Sequence, residues 1–139
     1  MSRKDNRSTL NRKMVDLMKQ SNIYLNHAPR HEKYAFCQII RNRLYEIYGL
    51  LTECEKRYHK KTTLTNLDIE HEKLRMDFLA YFELGYFHYK DHKPTLPQGD
   101  AYSRFECINE MIDEIGRMIG GWIKKTNEVE SNRGKKVSR

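Results

Sequence analysis

The chain has 139 residues, 38% hydrophobic and 32% charged, with 26 Lys/Arg against 19 Asp/Glu and a net charge of +7. That length suits one domain whose core needs no disulfide or metal. No stretch nears the ~18 apolar residues of a membrane span, the opening MSRKDNRSTLNRK lacks the apolar segment of a secretory signal, and Cys37, Cys54 and Cys107 form neither a CxxC pair nor a disulfide framework, which points to a reducing cytoplasm.

In chain order, residues 1–8 read as a basic tail. A first helix is expected over about 9–27, with Leu10, Met14, Leu17 and Tyr24 on one face and Asn and Gln between them. Ala28-Pro29 ends it, and Pro29 suits the first turn of the next element. The second helix, about 30–60, carries Phe36, Cys37, Ile40, Leu44, Ile47, Leu51 and Cys54. The polar, β-branched stretch KKTTLTN (60–66) reads as a break with cap candidates. The third helix, about 66–90, uses Leu67, Leu74, Phe78, Tyr81, Phe82 and Gly85. DHKPTLPQGD (91–100) holds two prolines and a glycine, the strongest loop signal in the chain. The fourth helix, about 98–126, has the clearest seam: Ala101, Phe105, Ile108, Ile112, Ile115, Ile119 and Trp122 at alternating spacings of four and three. Residues 127–139 read as a basic, disordered tail.

No segment alternates with period two long enough to argue a strand. Short connections between long amphipathic helices make sequence neighbours antiparallel, so the expected fold is an all-α, up-and-down four-helix bundle. The inner helices would be about 25–30 residues, roughly 40 Å long.

Enzyme and cofactor signatures are absent. There is no GxxxxGK[ST], GxGxxG or HExxH. His88 and His92 are four apart, but His92 falls at a loop boundary and no acidic or Cys partner lies at ligand spacing. His71 beside the third stripe reads as a satisfied core-edge histidine. Glu70-Glu72 and Asp113-Glu114 diverge around their helices and read as solvated faces. The reading is therefore a non-enzyme with no catalytic residue, no metal and no cofactor.

Surface chemistry remains. Residues 1–13 carry five Lys/Arg against one acid and residues 124–139 carry six against two, so the excess charge sits at the two chain ends. Such ends suit a polyanion partner, or are solvated tails that keep the protein soluble. Charge and position single out Arg12, Lys13, Arg41, Arg43, Lys60, Lys61, Arg117, Lys124 and Lys125 as phosphate contacts. Arg30, Tyr34, Arg41, Tyr45 and Tyr48 share one flank of the second helix, where Arg with Tyr suits an interface.

The segment EIGRMIGGWIKK (114–125) holds three glycines in a helical pattern, each costing about 1 kcal/mol relative to Ala. Gly116 and Gly120 lie one turn apart beside the seam, a spacing that lets another helix approach closely. That helix belongs either to a second chain or to the same bundle. Gly116, Gly120, Tyr34 and Tyr48 are the expected oligomer contacts. Gly121 points to the polar side, where a bend or frayed end would account for it.

EIGRMIGGWIKK resembles the C-terminal helix of the accessory variability determinant proteins of diversity-generating retroelements. YLNHAPRHEKYAFCQIIRNRLYEI is similar to that family's first inter-helix turn and second helix, LAYFELGYF to its third, and the Pro-containing loop before the fourth also fits. The resemblance covers about residues 9–126. It implies a four-helix bundle assembling into a homopentameric barrel, and a non-catalytic subunit that binds the element's reverse transcriptase and its template RNA during mutagenic cDNA synthesis. Bundles encoded in intervening sequences of ribosomal RNA share the fold and some of the last helix's pattern. They are the alternative identity, without a reverse-transcriptase partner.

Overall fold

The computed structural model describes residues 7–137, with side chains through 133. Four helices make the body: α1 Thr9–Leu25, α2 Phe36–Lys56, α3 Lys61–Glu83 and α4 Gln98–Val137. Short 3-10 turns at Arg30–Glu32 and Tyr86–His88 join them. Among the described residues there is no strand, only an isolated bridge between Lys90 and Lys93. No helix among them is long and apolar enough to cross a membrane.

Each helix buries one stripe. Leu10, Met14, Leu17 and Leu25 of α1 meet Cys37, Ile40, Leu44, Ile47, Leu51 and Cys54 of α2. Leu64, Leu67, Leu74, Phe78 and Tyr81 of α3, and Ala101, Ile108, Ile112, Ile115 and Ile119 of α4, complete the core. Burying such a side chain contributes about 1.5–3 kcal/mol. Each helix packs on its sequence neighbours and α1 closes against α4. This is the up-and-down bundle expected from the spacing. Consequently α1 begins and α4 ends at one end of the bundle, while the α1–α2 and α3–α4 connections share the other.

Local chemistry sets the boundaries. The Ser8 hydroxyl accepts the Asn11 amide at 3.0 Å and starts α1. Gly85, at φ 81°, takes the left-handed conformation that ends α3. The third helix therefore stops at Glu83, and Gly85 is its terminator rather than part of its stripe. The same helix begins at Lys61, five residues before the expected 66. KKTTLTN contains neither Gly nor Pro, and Leu64 already continues the stripe. The second segment divides: residues 30–32 form the 3-10 turn and α2 starts at Phe36. At the C-terminus, the stretch expected as a tail from 127 is helical through Val137. The three glycines of 114–125 do not interrupt that helix. The expected basic tail at residues 1–8 lies mostly outside the described residues.

Candidate nucleic-acid interface

At the α1–α2 corner, Asn22 in the last turn of α1 and Asn26 at its C-cap lie four apart and so on one face. Both amide oxygens meet one guanidinium on α2. Arg41 donates from Nε to Asn22 Oδ1 at 3.2 Å and from Nη2 to Asn26 Oδ1 at 2.8 Å. These neutral acceptors fix the guanidinium without neutralising it. A cleft of about 620 Å³ opens beside it, lined also by Arg30, Lys33, Tyr45 and His92, with Ala28 and Pro29 between the helices. Among the described residues no carboxylate lines this cleft. The hairpin 90–93 closes one side. Asp91 and His92 both have left-handed backbones, φ 50° and 71°. Two bonds to His27 hold that tight turn: Asp91 N–H donates to His27 Nδ1 at 3.0 Å, and His92 N–H to the His27 carbonyl at 3.1 Å. The His92 ring then donates through Nδ1 to the Ala28 carbonyl at 2.8 Å.

Two residues further along α2 the same side-chain type has the opposite surroundings. Arg43 pairs with Glu70 at 3.0 Å and Asp77 at 2.5 Å on α3, and all three are largely buried. Desolvation alone would lower the Arg43 pKa, but the two carboxylates outweigh it and hold it above the usual value. Glu70 shows the complement: desolvation pushes its carboxyl up, yet bonds from Lys73 and Arg43 hold it below the ordinary glutamate value.

The far end gathers cations from both ends of the chain. Lys60 places its ammonium 5.0 Å from the centroid of Trp122. Arg133 lies 5.3 Å over the Tyr58 ring and also donates to its hydroxyl at 2.5 Å. Lys61 meets Glu130 at 3.5 Å. Tyr58, Lys60, Trp122, Lys125, Glu130 and Arg133 line a second cleft of about 360 Å³. Arg12 is exposed and donates to the Arg7 carbonyl at 2.8 Å. Arg117, Lys124 and Lys125 are exposed on α4. Lys13 is engaged by Glu114.

The nine cations named from the sequence therefore do not form one surface. Arg12, Lys13, Lys60, Lys61, Lys124 and Lys125 lie toward the end where α1 begins and α4 extends. Arg117 lies a little further up α4, Arg41 sits alone at the opposite corner, and Arg43 is committed to two carboxylates between α2 and α3. Sequence reasoning missed Asn22, Asn26 and Lys33 at the corner, and Tyr58 and Arg133 at the far end. The four-residue spacing of Asn22 and Asn26 was the available signal. Nothing local links Arg133 to Tyr58, 75 residues away.

Gly116 has an intramolecular neighbour. A Cβ there would lie 2.7 Å from His71 Cε1 and 3.1 Å from Nε2. His71 is buried on α3, and its Nε2 donates to the Ile112 carbonyl at 2.7 Å. The missing side chain admits the imidazole to a carbonyl of the facing helix. The close approach is thus by a ring of the same chain. Gly120 and Gly121 have nothing within 4 Å of a built Cβ. Gly121 borders an apolar groove with Leu10, Met118 and Trp122. Of the expected interface tyrosines, Tyr34 is 83% exposed, while Tyr48 is half-buried and receives a long 3.4 Å bond from Asn11.

His88 and His92 turn to separate tasks. The two nitrogens of His88 lie 2.8 Å from the Leu96 carbonyl and 2.8 Å from Gln98 Oε1, while His92 binds Ala28. Among the described residues, no three His, Cys, Asp or Glu side chains group as metal ligands.

Comparisons with curated proteins and with solved structures found no match. A family profile described as bAvd-like matches residues 8–126, from the cap of α1 through the glycine segment of α4. With that match spanning the bundle, the chain belongs to the bAvd-like family of accessory variability determinant proteins, an accessory rather than catalytic kind of protein.

Proposed function

We propose that this protein is a non-catalytic subunit of a diversity-generating retroelement, binding the element's reverse transcriptase and template RNA and assembling with its own copies into a pentameric barrel. The observation that carries the reading is the family match over residues 8–126. The exposed cations of the far end support it, because Lys and Arg there would displace counterions from RNA phosphates. The absence of a recognisable base-reading motif makes the contribution one of charge and shape, with selectivity supplied by the enzyme and the folded RNA. Three free cysteines, two of them buried, suit action in the cytoplasm.

Titration of template RNA at two salt concentrations tests the RNA half. If about five phosphates are engaged, affinity should fall roughly 100-fold between about 50 and 200 mM salt. No binding at low salt, with or without the enzyme, would remove it. Co-purification with the reverse transcriptase tests the partner, and the mass in light scattering tests the pentamer. A self-associated bundle that captures neither enzyme nor RNA would instead favour the intervening-sequence type of interaction protein.

A further inference from the structure

We propose that the α1–α2 corner cleft binds the phosphate of a nucleotide, with Arg41 as its central contact. This site is separate from the far-end cations that support RNA binding, and it stands or falls independently of them.

The argument begins with what holds Arg41. Arg43 is held by carboxylates that take its charge. Arg41 is bound on two nitrogens by the amide oxygens of Asn22 and Asn26, which orient it and leave its charge intact. Arg30 and Lys33 add two more cations to the same cleft, and no acid among the described residues lines it. Three cationic residues thus border one cleft, the Lys33 ammonium resting over the Tyr34 ring, and water or an anion would answer their charge. A phosphate suits the planar donor fork of an oriented arginine.

The rest of the cleft argues for a nucleotide rather than a bare phosphate. Its volume of about 620 Å³ exceeds what an inorganic anion needs and falls within the range of small-ligand sites. Tyr45 lies one helical turn from Arg41, so it shares that face of α2, and the residue is 55% exposed. Such a ring can stack on a base whose phosphate lies against the arginine. The Ala28-Pro29 turn keeps the helices apart with little side-chain bulk. The His27-held hairpin brings the His92 imidazole to the opening. Since His92 donates through Nδ1, its Nε2 is left to face a ligand hydroxyl.

The test uses the full chain and nitrogen–proton NMR, following the backbone of residues 22–45 and the Arg41 Nε–H. Adenosine 5′-monophosphate should shift Arg41 Nε–H and the backbone around Asn26 and Lys33. Inorganic phosphate should do so more weakly and adenosine not at all. Arg41→Gln should weaken binding about tenfold or more through loss of the charge-assisted contacts. Arg30→Gln with Lys33→Gln, both at exposed positions, should weaken it comparably and guards against a misfolded Arg41 variant. Lys125→Gln should leave it unchanged. An RNA hexamer bearing a 5′-phosphate, set against its 5′-hydroxyl form, distinguishes an RNA end from a free nucleotide as the source of the phosphate. Equal binding of phosphate and the nucleotide would overturn the nucleotide assignment. Shifts confined to the Trp122 end, or none at the corner with any phosphate ligand, would overturn the site. RNA binding that survives the corner variants would leave the proposed function standing without it.

Discussion

Arg41 and Arg43 sit two residues apart on α2, about 200° apart around the helix, and face different worlds. Arg43 looks across to α3, where Glu70 and Asp77 take its charge. Arg41 looks across to α1, where two asparagines fix its direction only. The same division recurs on α4. Gly116 is bare because His71 occupies the space above it, while Gly120, one turn on, has open space. A cation or a glycine seen in a sequence is thus of two kinds. One kind is answered within the chain and contributes stability. The other is left unanswered and is available to something else.

Breaking the answered kind should cost most. Arg43→Ala leaves two largely buried carboxylates without their cation and should destabilise the bundle by about 2–3 kcal/mol, read from chemical denaturation. An unchanged midpoint would mean the pairs are worth no more than surface ones. Gly116→Leu should cost about 1–3 kcal/mol by overpacking against His71, visible in the melting temperature of the protein at any oligomeric state. If only oligomer mass changes and the melting temperature holds, the intramolecular account of Gly116 is wrong.

The unanswered kind should respond differently. Gly120→Ala should stabilise the helix by up to about 1 kcal/mol, since Ala is the better helix former and meets nothing. A loss of oligomer mass in that variant would instead place a second chain's helix over Gly120. The smallest effect concerns acid. Because Glu70 titrates below its ordinary value when folded, its contribution is complete above the usual glutamate range and fades as pH falls through the lower, folded value. Glu70→Gln should therefore be less stable near neutrality and show a shallower loss of stability below about pH 4.5.

The bundle was legible because its stripes are local: a three-four rhythm names the buried face of each helix without knowledge of its neighbour. The stop at Gly85 was misread because a glycine at a stripe position looks like a small core residue until its positive φ is seen. The site was only half legible for the opposite reason. Arg41 and Tyr45 could be placed on one flank of α2 from their spacing, whereas Arg30 and Tyr34, expected on the same flank, lie ahead of α2, Arg30 in the 3-10 turn. What separates Arg41 from Arg43 is the identity of residues on two other helices, Asn22 and Asn26 on one and Glu70 and Asp77 on the other. That pairing exists only after packing. The chain-end charges were counted correctly, yet only the antiparallel order of four helices explains why residues 7–13 and 124–133 come to one end.

The contact of Lys60 with Trp122 has a practical side. Trp122 is the chain's only tryptophan, and it lies at the far end under a cation, across the length of the bundle from the corner cleft. Its fluorescence is therefore a private reporter. Anything that draws Lys60 away, a polyanion above all, should alter the indole emission, while a ligand taken up at the corner leaves it dark to the event. The two ends of the molecule can be watched separately in one cuvette, without a label.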